Sequence, residues 1–187
     1  MLVSHERQKL IEAVCFFASH VEKLGKTKLF KLLYFLDFEH YRDTGRSVTG
    51  MDYSAWKMGP VPTDLYHELD NPGDDWATKI RFGQRSVRAG KKPMLSVTPI
   101  AEFDASHFSK RELRLLERLA TEFKTADADE MIEATHLENL PWHQVYNVQK
   151  RDSGKIPYEL AVRAQEADAI RRVAADHLEM IGALQGK

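Results

Sequence analysis

The side chains most able to bind a metal or transfer protons are histidines and carboxylates, and their spacing gives them few partners. The sequence contains eight histidines. Asp64 and His67 lie one helical turn apart and can share one cation, but no third ligand has metal-site spacing. His136 and His143 are separated by Pro141, which interrupts the helix that would align them. The spacing predicts hydrogen-bonded structural histidines, with no bound metal and no cofactor.

Signatures of catalysis are missing from the sequence. It has no nucleophile elbow, no glycine-rich phosphate loop and no CxxC pair. Carboxylates one or two positions apart on a helix point in different directions, as in the pairs Asp37/Glu39 and Asp74/Asp75. We therefore predict that the protein is not an enzyme. One enzymatic alternative stays open, a metal-dependent enzyme that uses Asp64, His67 and Glu68.

Three lysines, Lys26, Lys28 and Lys31, cluster where the second predicted helix begins. The helix dipole disfavours positive charge there by a few tenths to about 1 kcal/mol each. Contact with an anion or an acidic partner would explain them, although solvated lysines on an outer turn are the simpler expectation. A second alternative is a nucleic-acid-binding regulator that uses these lysines and the basic stretch RFGQRSVRAGKK. The formal net charge of −1 counts against it, because no overall positive field attracts phosphate backbones.

Composition points to an ordinary folded protein. The chain has 187 residues, of which 43% are hydrophobic and 29% charged, so we expect one domain over residues 1–187. Cys15 is the single cysteine and lies in the apolar run AVCFFA, which predicts a buried thiol and a reducing compartment. No apolar stretch reaches membrane-spanning length and no signal-peptide core is present, so we expect a cytoplasmic protein without membrane contact.

Apolar residues at steps of three and four predict a mostly helical chain. A first helix carries Leu10 to Leu24, with Ser4 as its cap and Gly25 as its end. A second, TKLFKLLYFLDFEHYRDT, is apolar on two sides, which predicts a central helix that Gly45 closes. Further helices are predicted after Pro62, over DADEMIEATH, from Pro141, and from Tyr158 to Leu184. Another is predicted to begin at Ser109, which has the spacing of a capping box with Glu112.

The stretch from Gly45 to Pro62 breaks this helical pattern with glycines and prolines. YSAWKM predicts a short strand. Gly59 supplies backbone freedom, while Pro60 and Pro62 fix φ and prevent an early helix, so we expect a rigid corner between the strand with Trp56 and the helix with Tyr66. Short β-type runs at residues 80–82, 86–88 and 94–97, with a turn at AGKK, predict a small sheet. The expected fold class is α+β, predominantly α-helical, with a small antiparallel β-sheet.

Two stretches resemble the SocA-like, or Panacea, antitoxin domain, which is common in bacteria and their phages. The first is KLLYFLDFEHYRDTGRSVTGMDYSAWKMGPVPTDLYHEL, residues 31–69. It is quite specific, since an aromatic helix, Gly-Arg, Thr-Gly, Tyr and Gly-Pro-Val-Pro occur in order. The second is ATHLENLPWHQVYNVQKRDSGKIPY, residues 134–158, which is similar at the Thr before His136, at Trp142, at Gly154 and at Ile156. The segment before Thr27 and the helix expected after Tyr158 are not diagnostic.

The resemblance implies a helical domain with a small sheet that works by protein recognition and without catalysis. It implies a cognate toxin as partner, which the chain would mask by direct binding or, as one relative type does, deliver as an adaptor to the ClpXP protease. Its motif residues are the candidate partner-binding residues, although each can equally stabilise the fold. They are Lys31, Tyr34, Asp37, Gly45, Thr49, Gly50, Tyr53, Trp56, Gly59, Pro60, Pro62, Tyr66, His136 and Trp142.

Overall fold

The fold is built around one buried helix, and a computed structural model describes it for residues 5–86, 93–138, 140–162 and 167–185. The helices are α1 (Glu6–His20), α2 (Lys26–Thr44), α3 (Thr63–Glu68), α4 (Lys110–Glu122), α5 (Ala128–His136), α6 (Pro141–His143) and α7 (Ala167–Gln185). The strands are β1 (Tyr53–Trp56), β2 (Gly59–Pro62), β3 (Ile80–Arg85), β4 (Met94–Pro99) and β5 (Gly154–Lys155). The predicted class, α+β with helices predominant, is confirmed.

Helix α2 is the central element, as its apolar residues on two sides predict. It packs against β2, α4, α5 and a 3₁₀ turn at Tyr158–Ala161. Four of its leucines have no exposed surface, namely Leu29, Leu32, Leu33 and Leu36. Gly45 ends the helix in the left-handed conformation at φ 72°, as predicted. The capping box of α4, in which Ser109 and Glu112 each accept from the other's backbone N–H, is also confirmed.

Two predicted helix boundaries are wrong. Helix α1 ends at His20 and not at Gly25, because the chain turns away there and the backbone N–H of Glu22 donates to Lys124 O at 2.9 Å. Gly25 instead precedes α2 as its N-cap, and the predicted cap Ser4 lies outside the described residues. The terminal helix does not begin at Tyr158: the 3₁₀ turn there ends at Val162 in an extended conformation, and α7 is described from Ala167.

A three-stranded antiparallel sheet has the order β2-β1-β5, with Gly59 paired to Trp56 and Gly154 to Ala55. The prediction that Gly-Pro-Val-Pro is a corner leading from a strand to a helix is wrong, because the stretch is itself strand β2 of a hairpin. Prolines are tolerated in this position because β2 is an edge strand, whose outer side needs no ladder donor. The strand then leads directly into α3, where the predicted helix begins.

A second, two-stranded sheet pairs β3 with β4 from Ile80↔Pro99 to Arg85↔Met94. It confirms the strands predicted near residues 80–82 and 94–97. In the predicted run at residues 86–88, Ser86 lies outside a strand, and residues 87–88 and the expected AGKK turn lie outside the described part of the chain.

Candidate functional site

The motif residues on α2 face the loop that leads into the hairpin, and Asp37 is the centre of that contact. Its Oδ1 accepts hydrogen bonds from the backbone N–H groups of Val48 at 2.8 Å and Thr49 at 2.7 Å. Its Oδ2 accepts from Thr49 Oγ1 and from the Tyr53 hydroxyl at 2.7 Å. Complete burial raises the pKa of Asp37 to about 6, although these four hydrogen bonds oppose the shift. The carboxylate ties α2 to the start of β1.

Lys31, almost two helical turns before Asp37, connects α2 to β2. Its Nζ donates to Pro60 O at 2.9 Å, and only 1% of the residue is exposed. Within the described residues no carboxylate lies within ion-pair distance of this ammonium group. Burial lowers the pKa of Lys31 to about 7. The side chain therefore works as a buried hydrogen-bond donor.

The far side of the hairpin rests on stacked rings. His136, the last residue of α5, stacks on Trp142 with ring centroids 3.7 Å apart and planes 4° from parallel. Trp142 stacks in turn on Tyr146, at 4.8 Å, and its Nε1 donates to Trp56 O at 2.9 Å. Burial, and then the charge of Lys31, lower the pKa of His136. Helices α5 and α6 thus hold the end of β1.

Tyr34 lies between the Asp37 and Lys31 contacts. It is 1% exposed, and its ring packs against Phe38 at 4.4 Å and Tyr53 at 5.7 Å. Burial raises the pKa of its hydroxyl. Among the described residues neither this hydroxyl nor Nε2 of His136 has a hydrogen-bond partner. The inner face of the hairpin is therefore mainly apolar packing with a few fixed polar contacts.

The remaining motif residues lie around this centre. Gly50 adopts φ 69°, and a Cβ atom there would lie 2.6 Å from the carboxyl carbon of Glu6. Tyr66 on α3 packs edge-on against Trp56 at 4.9 Å, and Lys26 Nζ lies 3.7 Å above the Tyr66 ring. Pro62 pairs with Tyr53 at the end of β2. The structure thus brings most motif residues together, around a hairpin whose inner side they bury.

The expectation of solvated lysines is wrong for Lys28 and Lys31, because both are buried. Lys28 Nζ donates to three backbone carbonyl oxygens, those of Glu22 at 2.9 Å, Lys124 at 3.1 Å and Ala126 at 2.7 Å. It therefore joins the α1–α2 loop to the α4–α5 loop. Sequence reasoning missed this role, since two of the three carbonyls, those of Lys124 and Ala126, belong to a loop distant in the chain. Thr135, the residue before His136 in the second matching stretch, packs beside Gly59.

The site holds a hairpin in place. Asp64 and His67, the proposed metal pair, are exposed on α3. No group of three potential metal ligands is found in the described ranges. Asp37 and Lys31 form no ion pair with each other in those ranges. The arrangement supplies a fixed shape, and the pKa shifts follow from burial.

Comparisons with known proteins assign the chain to a family. Residues 29–143, more than half of the chain, match the family described as antitoxin SocA-like, Panacea domain. No curated protein and no solved structure matches the chain. Within the described residues, no helix is long and apolar enough to cross a membrane. The match covers most of α2, the hairpin and α5, with the contacts that Asp37 and Lys31 make to the hairpin, and the chain belongs to the SocA-like Panacea family of antitoxin domains.

Proposed function

We propose that this protein neutralises a toxin by binding it directly, in the bacterial cytoplasm. The observation that carries the proposal is the family match over residues 29–143, which supports a role in toxin–antitoxin systems in general. The structure adds a physical reason for direct binding. A hairpin fixed from both sides by Lys31 and Trp142 loses little conformational entropy when a partner docks on it.

In this proposal most motif residues position the contact surface and do not touch the toxin. Asp37, Lys31, Tyr34, Tyr53 and Trp142 are all buried. A toxin could reach them only after the hairpin had separated from α2. Exposed residues carried by the same elements are better placed to meet a partner, and they are free to differ between antitoxins that recognise different toxins.

Co-expression with the protein encoded by the neighbouring reading frame tests this function. We expect that protein alone to stop growth, and growth to return when this chain is present. Rescue together with co-purification supports sequestration. Rescue through loss of the toxin, in cells with ClpXP and not in cells without it, supports delivery to that protease. A harmless neighbour and no co-purifying protein would overturn the proposal.

A further inference from the structure

The tip of the hairpin, Lys57 and Met58, lies at one end of the three-stranded sheet. Strand β5 runs antiparallel to β1 with Gly154 opposite Ala55, so the residues before Gly154 run beside the tip. The Ser153 N–H continues this pairing with a 2.8 Å bond to Ala55 O. The loop of residues 149–153 therefore flanks the hairpin tip on one side, and Val148 leads into it from a π-helical turn, Gln144–Val148.

The end of α5 flanks the tip on the other side. Gly59, the first residue after the tip, approaches Thr135 so closely that a Cβ atom would lie 2.9 Å from Thr135 Oγ1. Leu137 follows two residues later, directly after the His136 ring that stacks on Trp142. We call this region the hairpin-end surface and define it by Lys57, Met58, Leu137, Val148, Lys150 and Arg151.

Large apolar side chains are exposed on the hairpin-end surface. Met58 is 56% exposed, Leu137 62% and Val148 58%. Single exposed apolar residues are ordinary on protein surfaces, but several at one end of a sheet are typical of an interaction site. The other large apolar residues exposed in the described ranges lie elsewhere, at Ile100 and on α7.

The charge of the hairpin-end surface is mainly positive. Lys57, Lys150 and Arg151 are exposed, and none forms an ion pair within the described residues. Nearby Lys155, in contrast, is paired with Asp52 at 2.7 Å. Two exposed carboxylates are neighbours of these residues in sequence, Asp152 after Arg151 and Glu138 after Leu137.

The loop that carries two of these cations has unusual backbone geometry. Lys150 has φ 57° and Ser153 has φ 59°, in the left-handed region that costs residues other than glycine about 1 kcal/mol or more. Such conformations concentrate at binding sites. The Arg151 N–H, bonded to Val145 O at 3.1 Å, and the Gly154 N–H, bonded to Arg151 O at 3.2 Å, fix the loop in this shape.

We propose that the hairpin-end surface is the toxin-binding face and that it recognises a partner protein through an acidic patch beside an apolar residue. This inference rests on the proposed function and deepens it. The exposed apolar groups supply contact area, and the cations on the β5 side, which have no ion-pair partner in the described part of the chain, select a partner of opposite charge.

A charge-reversal experiment tests the surface. The test variant is Lys57→Glu/Lys150→Glu/Arg151→Glu, and a second variant, Met58→Ser/Val148→Ser, removes the apolar contacts. The matched control, Lys110→Glu/Arg111→Glu/Arg114→Glu, makes the same charge change on exposed α4 positions without ion pairs among the described residues. Circular dichroism verifies that each variant folds. The probe is the neighbouring-frame toxin that the wild-type chain neutralises.

We expect both surface variants to bind the toxin at least about tenfold more weakly than the wild type, with the control within about twofold. The wild-type affinity should fall with added salt, and the charge-reversed variant should lose most of that dependence. Folded surface variants that bind and rescue as well as the wild type would overturn the surface while leaving the function intact. A wild-type chain that neutralises nothing would overturn both. If the wild type binds a labelled DNA duplex tightly and the charge-reversed variant does not, the assignment to a protein partner is overturned.

Discussion

Gly59 and Lys31 lie so close together that a Cβ atom on Gly59 would stand 2.7 Å from Lys31 Nζ. Gly59 also adopts φ 100°, a conformation that residues with a side chain rarely tolerate. The hairpin can approach α2 this closely only because its first β2 residue lacks a side chain. Stability measurements can therefore test how the hairpin is held.

Gly59→Ala should lower the free energy of unfolding by about 2–4 kcal/mol, because it combines backbone strain with a steric clash. Urea unfolding followed by fluorescence measures the change. Gly182→Ala in α7 is the control, since a Cβ atom there meets nothing within 4 Å and alanine favours a helix by about 0.5–1 kcal/mol. Equal effects of the two substitutions would contradict the close approach.

Lys31→Met should change how stability depends on pH. The folded chain releases the Lys31 proton near pH 7, whereas the unfolded chain holds it to about pH 10.4. Between these values the unfolded state binds more protons, so the free energy of unfolding of the wild type rises with pH, by at most about 1.4 kcal/mol per unit. Lys31→Met removes this rise, while Lys110→Met on the surface of α4 keeps it. Unfolding at pH 7, 8 and 9 measures the slopes, and parallel curves for wild type and Lys31→Met would refute the assignment.

Asp37→Asn should remove a second pH dependence of the free energy of unfolding, which lies at lower pH than that of Lys31 and has the opposite sign. The Asp37 carboxyl has a pKa of about 6 in the folded chain and about 3.9 when unfolded. Between these values the folded state binds the extra proton, so this group makes the wild type less stable as the pH rises from about 4 to 6, by up to about 3 kcal/mol. The difference in unfolding free energy between wild type and Asp37→Asn isolates the effect from other titrating groups. A difference that does not vary between pH 4 and pH 6 would count against it.

Lys28→Met should destabilise the fold more than a change at neighbouring Lys26. Removing the Lys28 ammonium leaves three carbonyl oxygens without this donor, and we expect a loss of about 3 kcal/mol or more. Lys26→Met removes only a partly exposed contact with the Tyr66 ring and a 3.7 Å ion pair with Asp70, a loss within about 1 kcal/mol. Denaturant midpoints compare the two variants. Similar losses would show that the three carbonyls do not depend on Lys28.

The central helix could be predicted from sequence, whereas the hairpin could not. Apolar residues on two sides of α2 require burial on two sides, so its position follows from local pattern alone. Pro60 and Pro62 argue against a strand in most settings, and only the pairing with β1 at a sheet edge makes β2 acceptable. The buried state of Lys28 depends in part on the carbonyls of Lys124 and Ala126, in a loop distant in the chain, which no local pattern contains.

Only some residues of the candidate site could be predicted from sequence. The resemblance identified the side chains that bury the inner face of the hairpin, such as Asp37 and Trp142. It did not identify Met58 or Val148, whose exposure depends on how the chain packs. Lys150 and Ser153 carry no sequence signal for a positive φ, since glycine is the usual residue there.

Strand β5 completes the sheet late in synthesis. The Lys155–Asp52 ion pair joins residues 103 positions apart, so during translation one edge of β1 stays without a partner until Gly154 and Lys155 have emerged. An unpaired strand edge is a template for pairing with other chains. A chain truncated before Gly154 would therefore leave this edge of β1 unpaired and would be prone to aggregation.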